Sequence, residues 1–177
     1  MSEFIVDASG MERLARALEA IPERAEVAVK RGTKRALVAA KTEGMRRARE
    51  VYTIKGMRLA RQIKMAPDHM KVVGRRRPLM EFDVRPEVPV QRARVFARVK
   101  VTGGGSLPHA FIARMPSNAH VGVYERVGTR SFPIRQLMGV SAPQMMGEPQ
   151  VLLAMEERAS EVLEERVLHE AERFLEE

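Results

Sequence analysis

Residues 92–101 read RARVFARVKV, in which basic and apolar residues alternate. Positions 92, 94, 98 and 100 are Arg or Lys, and they alternate with Ala or Val. Only Phe96 breaks this alternation. A period of two is typical of a strand that buries one face and exposes the other. The stretch therefore predicts a half-buried strand with a basic outer face.

Further short apolar runs surround this strand. They occupy residues 70–73, 80–84, 111–115 and 121–125, and several of them alternate. Pro78, Pro86 and Pro89 favour edge strands or breaks, because proline cannot donate a ladder hydrogen bond. Residues 103–106, GGGS, predict a turn or loop between two strands.

Helical patterns lie on both sides of the strands. Ser9 with Glu12 predicts a helix start, and Glu23 to about Tyr52 predicts a long basic helix. A third, short helix is predicted over 55–63, and an acidic helix with one apolar stripe over 150–174. The long basic helix has a stripe of small residues, which predicts that it lies flat on a sheet or against a copy of itself. These small residues are Ala25, Ala28, Gly32, Ala36, Ala39 or Ala40, and Ala48.

The order of helices, then strands, then a helix predicts an α+β fold. We expect a single domain over residues 1–177, with N-terminal helices and a C-terminal helix packed on an antiparallel β-sheet. Residues 1–64 are expected to be mainly helical, 65–127 mainly strands, 128–149 an ordered irregular loop, and 150–175 a helix.

Charge is distributed unevenly along the 177 residues. The net charge is +8, but residues 31–140 carry +17 and residues 141–177 carry −7. A basic middle indicates nucleic acid nearby, or a contact in which the acidic helix of one copy packs on the basic surface of the next. The basic face is expected to line a DNA passage or to meet that acidic neighbour. Its predicted members are Arg75, Arg76, Arg77, Arg92, Arg94, Arg98 and Lys100.

No residue pattern indicates catalysis, a cofactor or a metal. Cys is absent, and the four histidines (His69, His109, His120 and His169) lack the spacing of a helical metal site. Ser141 is not followed by the glycine that a nucleophile elbow needs, and Gly103–Gly105 lacks the Lys of a phosphate-binding loop. The chain is therefore predicted not to be an enzyme. The start MSEFIVDASG has no basic, apolar leader, so synthesis in the cytoplasm without a membrane contact is expected.

Five motifs occur in a fixed order between about residues 25 and 147. They are Tyr52-Thr-Ile-Lys55, Pro78-Leu-Met-Glu-Phe82, His109-Ala-Phe-Ile-Ala113, Val121-Gly-Val-Tyr-Glu-Arg-Val-Gly128 and Phe132-Pro-Ile-Arg-Gln-Leu-Met-Gly-Val-Ser-Ala-Pro-Gln-Met145. This order closely resembles the minor tail protein Z family of lambda-like phages and prophages. Val140 departs from it, standing where the family often has Pro, and the loop between Met115 and Val121 is short.

The resemblance implies a structural virion protein without an active site. It implies tail completion or head–tail joining at the head-proximal end of a long tail, after synthesis in the bacterial host cytoplasm. The implied partners are the tail terminator, tail-tube or neck proteins and further copies of the chain in a ring, for which sixfold tail symmetry implies a hexamer. Phage DNA is a further implied contact.

The stretch around Phe132–Met145 joins apolar residues to stiffening prolines, which predicts an assembly surface. Its predicted members are Phe132, Ile134, Leu137, Met138 and Met145. The alternative function, favoured by the basic middle of the chain, is a basic nucleic-acid-binding accessory protein.

Overall fold

The computed structural model describes residues 2–4, 22–54, 57–87, 94–116 and 119–176. The helices are α1 (Pro22–Val51), α2 (Ala142–Met146) and α3 (Pro149–Glu176), with 3-10 helices at Met57–Gln62 and Leu79–Glu81. The strands are β1 (Ser2–Phe4), β2 (Ile63–Met65), β3 (Met70–Val72), β4 (Arg76–Pro78), β5 (Asp83–Pro86), β6 (Arg94–Arg98), β7 (Gly105–Pro108), β8 (Ala110–Arg114), β9 (Val121–Arg126), β10 (Ile134–Gln136) and β11 (Met138–Ser141).

The strands form small antiparallel sheets rather than one large sheet. Their orders are β1-β3-β2, β10-β9-β8, β5-β6-β7 and the pair β11-β4. Helices at both ends with antiparallel strands between them confirm the predicted α+β class. The predicted helix start at Ser9 lies outside the described residues.

Strand β1, which pairs with β3, was not predicted. Two local predictions were wrong. Residues 80 and 81 of the predicted strand run 80–84 belong to the 3-10 helix Leu79–Glu81, because its three-residue turn directs both Leu79 and Phe82 into the core. Segment 128–149 is more regular than an irregular loop, since it contains β10, β11 and α2.

The start of α2 is fixed by a capping box. Ser141 Oγ accepts a hydrogen bond from the Gln144 backbone N–H at 3.3 Å, and Gln144 Oε1 accepts one from the Ser141 N–H at 2.9 Å. This arrangement satisfies two backbone donors that a helix start leaves unpaired. The hydroxyl of Ser141 therefore serves as a helix cap.

Helices α1 and α3 pack closely in antiparallel directions. A Cβ placed on Gly32 would lie 3.0 Å from Val167 Cγ2, and one on Gly44 would lie 2.5 Å from Met155 Sδ. Glycine thus allows the backbone of α1 to approach the side chains of α3. The small-residue stripe of α1 is covered by a helix of the same chain, not by a copy of α1.

The pair joins helices of opposite charge. Helix α1 contains nine Lys or Arg and four Glu, whereas α3 contains three Arg and eight Glu. Arg31 Nη1 lies 3.0 Å from Glu170 Oε2 across the pair. The acidic helix therefore already has a basic neighbour within its own chain.

Beneath the helices, the buried apolar residues form one contiguous cluster. It includes side chains of α1, the strands, α2 and α3, with Phe82, Leu37, Met70, Met145, Met146 and Met155 among the most deeply buried. The predicted inward stripe of α3 is confirmed, because Met155, Ala159, Leu163 and Val167 are all buried.

Replacement of Leu163 by Ala should lower the free energy of unfolding by about 2–5 kcal/mol, because it removes buried methyl groups and leaves a cavity. Urea denaturation followed by circular dichroism measures this. Leu153→Ala on the same helix is the matched control, since Leu153 is exposed. Equal effects of the two substitutions would contradict the packing of α3 described here.

Candidate functional site

The hairpin between β9 and β10 presents an apolar tip, defined here as Val127 and Phe132. Both side chains are exposed, Val127 by 62% and Phe132 by 74% of their surface. The Val127 N–H donates to the Pro133 carbonyl at 3.0 Å, which closes the base of the tip, and the Phe132–Pro133 peptide bond is cis. The tip is thus an exposed apolar feature held by a paired hairpin.

The predicted assembly residues divide by burial. Met138 is exposed like Phe132, whereas Ile134 and Leu137 are half-buried, and Leu137 packs against the core. Met145 is completely buried, so its placement on an exposed surface was wrong. The capped helix α2 turns Met145 and Met146 inward, where Met146 lies over Gly44.

Strand β6 has the predicted basic outer face. Arg94 and Arg98 are exposed, and Val95 between them is buried. Phe96 shares the outer face, because it is two residues from each arginine. The Arg85 guanidinium of β5 lies 4.6 Å from the centroid of the Phe96 ring.

The seven predicted basic-face residues do not form one face. Arg75 precedes β4 and Arg76 and Arg77 lie on it, in a different sheet from β6, and Arg92 lies outside the described residues. Arg77 is buried, forms an ion pair with Glu81 and donates to Gln62 Oε1 at 2.9 Å, so its placement on an exposed face was wrong.

Two further members of the set pair with carboxylates of the same chain. Arg98 Nη2 lies 2.8 Å from Asp83 Oδ2, and Lys100 Nζ lies 2.8 Å from Glu148 Oε1. Arg94 has no such partner among the described residues. The free positive charge of this surface is therefore smaller than the sequence pattern indicates.

A groove lies between the sheets of β6 and β9, and we call it the sheet groove. Its volume is about 1010 Å³. The lining residues are Arg94, Pro108, His109, Glu125, Arg126, Val127, Gly128, Thr129 and Arg135. Arg135 pairs with Glu125, whereas the Arg126 guanidinium lies 5.2 Å from the centroid of the Phe111 ring. The groove can accept an anionic group, and it adjoins Val127 of the apolar tip.

The sequence patterns did not identify Arg126, Val127, His109 or Arg135 as surface-forming residues. Arg126 and Val127 do stand in the Val121–Gly128 motif, at the end of a strand, which is the signal that could have found them. His109 adopts a positive φ of 70°, between β7 and β8. Only the fold brings these residues together with Arg94, because they come from separate strands.

The histidines show no metal cluster. His69 Nδ1 lies 2.9 Å from Asp68 Oδ1, and His120 Nε2 lies 3.0 Å from Gln136 Nε2. Across residues 2–4, 22–54, 57–87, 94–116 and 119–176, no group of three or more His, Asp or Glu is placed to hold a metal ion. Within the same residues, no helix is both long enough and apolar enough to cross a membrane.

Glu148 joins three parts of the chain. Its carboxylate accepts hydrogen bonds from the Tyr52 hydroxyl at 2.7 Å and from Lys100, and its carbonyl accepts the N–H groups of Val151 and Leu152 at the start of α3. Two hydrogen bonds lower the pKa of Glu148. The bond from Lys100 has the larger effect and the bond from Tyr52 the smaller one. Burial, aided by the Glu148 hydrogen bond, raises the pKa of Tyr52. Glu148 thus links the end of α1 to the start of α3 and to Lys100.

Comparisons with protein-family models, curated proteins and solved structures gave no match.

The Tyr52–Glu148 contact predicts pH-dependent stability. Replacement of Tyr52 by Phe should lower the free energy of unfolding at pH 7, because it removes one charge-assisted hydrogen bond. A carboxyl with a lowered folded pKa stabilises above its ordinary value of 4.5, and that stability is lost as pH falls through the folded pKa. The difference from wild type should therefore shrink in acid.

Urea denaturation at several pH values measures this difference. Tyr124→Phe is the matched control, because Tyr124 is also buried but its hydroxyl has no carboxylate partner among the residues that the structure describes. A Tyr52→Phe effect that stays constant from neutral to acidic pH would contradict the ionised contact.

Proposed function

We propose that the chain is a structural component of a long-tailed phage or prophage tail. It is added at the head-proximal end, where it completes the tail and joins it to the head, and it contacts tail terminator, tail-tube or neck proteins. The ordered resemblance of five motifs to the minor tail protein Z family supports this proposal. The site of action is accordingly the virion, after synthesis in the bacterial host.

The observation that carries the proposal is the exposure of Phe132 on a hairpin. An exposed aromatic ring on a closed hairpin is a suitable anchor for a protein partner, because aromatic residues dominate the energetics of interfaces. The paired strands β9 and β10 hold the tip, which lowers the ordering cost of binding. Met138 adds another exposed apolar side chain on β11, the strand that follows β10 in the sequence.

Replacement of Phe132 by Ser should leave folding unchanged but weaken attachment to the tail by about 30-fold, as loss of an aromatic anchor worth about 2 kcal/mol implies. The measurement is binding of the purified chain to tails assembled without it, together with the yield of particles that carry joined heads and tails.

Val101→Ser is the matched control, since Val101 is exposed but lies outside the five motifs. Leu137 is unsuitable for this experiment because it packs against the core. Unchanged attachment of the folded Phe132→Ser variant would refute the assembly role of the tip.

A second candidate function is nucleic-acid binding, and the sheet groove favours it. Arg94 and Arg126 line the groove and have no carboxylate partner among the described residues. On the same strand as Arg94, the ring of Phe96 lies on the outer face and is covered by the Arg85 guanidinium. Such groups neutralise phosphates without reading sequence. Here the chain would be a basic accessory protein that holds DNA.

Under this alternative, Arg94→Glu with Arg126→Glu should abolish binding to random-sequence duplex DNA. The slope of log affinity against log salt should become less negative by about 0.9 for each lost phosphate contact. The control is Arg61→Glu with Lys64→Glu, an equal charge change at exposed positions. Wild-type protein that binds no duplex in low salt would remove this candidate.

A further inference from the structure

The outward side of α3 forms a stripe that we call the acidic ridge. An α-helix has 3.6 residues per turn, so residues 153, 157, 161, 164 and 168 lie on one side of α3. The acidic ridge comprises Leu153, Glu157, Glu161, Glu164 and Leu168, all of them exposed. Leu153 and Leu168 are exposed by 56% and 49% of their surface. The ridge is thus a row of carboxylates with an exposed leucine at each end.

A second groove runs between α1 and α3, and we call it the helix groove. Its volume is about 990 Å³. Its cationic lining residues are Arg31, Lys34 and Arg35 of α1 with Arg158 and Arg166 of α3. Val38, Ala39 and Val162 add apolar surface, and Val38 is itself exposed by 52%. The groove therefore has cations around an apolar strip, and two of them are paired within the chain, Arg31 with Glu170 and Arg158 with Glu161.

The two surfaces match in chemistry. The ridge presents carboxylates with leucines, and the groove presents arginines and lysine with valines. Lys34 and Arg35 have no carboxylate partner among the described residues, and neither do Glu157 and Glu164. These charges are therefore available to an outside partner of opposite sign.

At the border of the two surfaces Arg158 Nη1 of the groove lies 2.9 Å from Glu161 Oε2 of the ridge, but the ridge as a whole cannot enter the groove of its own chain. The side of α3 that contacts α1 carries Met155, Leu163 and Val167, and the ridge lies on the side of α3 turned away from α1. Docking of the ridge in a groove must therefore join two copies. Because the two patches differ, the contact is head-to-tail, and such contacts repeat into a closed ring or a filament.

We propose that the acidic ridge of one copy docks into the helix groove of the next copy. This inference rests on the proposed function, because it supplies the subunit contact of a ring at the tail end. The sequence pattern predicted that the acidic helix of one copy meets the basic face that includes strand β6 of the next copy. The proposed contact instead joins the acidic helix to basic residues of helix α1 in the next copy. The contact is a helix laid into a groove, with Leu153 and Leu168 as apolar anchors and the charges fixing the direction.

A second copy fits the groove better than a nucleic acid does. Glu165 and Glu170 also line the groove and would repel a phosphate and a ridge carboxylate alike, so charge alone does not decide between the two occupants. The two exposed leucines of the ridge and Val38 in the groove have no role in phosphate binding, whereas a protein contact buries them. Wild-type chain should therefore associate with itself at about 0.1 M salt and dissociate at about 1 M, where the screening length falls from about 10 Å to about 3 Å.

Charge reversal tests the contact from both sides. Glu157→Lys with Glu164→Lys should weaken self-association by about tenfold or more, and Lys34→Glu with Arg35→Glu should do the same, because each places like charges opposite one another. Lys, Arg and Glu have similar helix propensities, so the fold should survive, and thermal melting checks this. Arg61→Glu with Lys64→Glu is the control of equal charge change to the groove variant.

Mixing the two reversed variants is the decisive measurement. One variant then has a basic ridge and a basic groove, and the other has an acidic ridge and an acidic groove. Alternating copies restore both contacts, so light scattering of the mixture should recover the wild-type mass. The four reversals combined in one chain should also restore self-association.

Wild-type chain that stays monomeric at about 0.1 M salt overturns the inference, and so do reversed variants that associate like the control. So does a mixture that recovers nothing. These outcomes are distinct from failure of the proposed function. If Phe132→Ser leaves attachment unchanged while the mixture recovers its mass, the tail role fails and the subunit contact stands.

Discussion

The close approach of α1 to α3 is the constraint on which the rest of the structure depends. Gly32 and Gly44 let α3 side chains reach the α1 backbone, where a Cβ on Gly44 would lie 2.5 Å from Met155 Sδ. This approach buries the apolar stripe of α3 and closes the core over the small sheets. It also places a strongly acidic helix beside a strongly basic one, although they are separated by almost 100 residues. The acidic C-terminal segment is therefore neutralised in part within its own chain, and its outward side alone remains for a partner.

Ion pairs within the chain also determine which cations are available to bind an outside partner. Arg77, Arg98 and Lys100 each lie against a carboxylate, so much of the apparent positive charge of the middle segment stabilises the fold instead of attracting a partner. Exposed ion pairs contribute little each, but a cation held at Glu148 or Asp83 is less available to a phosphate. Cations without a carboxylate partner among the described residues line the sheet groove and the helix groove, and others, such as Arg75 and Arg76, are exposed elsewhere. The two grooves, the apolar tip and the acidic ridge are the surfaces on which the proposed contacts rest.

The sequence predicts the elements with strong periodicity and misses those that depend on distant contacts. Local spacing predicts the long helices at 23–52 and 150–174 and the alternating strand at Arg94–Arg98. Each of these elements buries one face, and this requires apolar residues at the period of the helix or strand. Leu79–Glu81 has apolar residues compatible with a strand or a 3-10 turn, and only the position of Phe82 in the core decides between them. Met145 lies in a segment whose Gly- and Pro-rich composition is typical of an exposed loop. The Ser141 cap nevertheless starts a helix there, and this helix turns Met145 inward. The sequence contains the capping residues Ser141 and Gln144, but no local pattern in it indicates that Met145 is buried. The sheet groove combines residues of β6, β9 and β10, so no local pattern reveals it.

The two proposed contacts use different parts of the fold, and this separation has a physical consequence. The apolar tip belongs to a hairpin of the β8–β9–β10 sheet, whereas the acidic ridge and helix groove belong to the α1–α3 pair. A contact to the tail through the tip leaves both helix surfaces open, so each bound copy can still receive the next one. The first copy to bind gains only the tip contact, but a later copy gains the tip and a neighbour together. Binding through two linked contacts raises the effective concentration for the second contact, so each contact can be weak while the completed ring is stable. A chain with modest self-association in solution would then assemble on the tail rather than away from it, because the tail supplies the first contact.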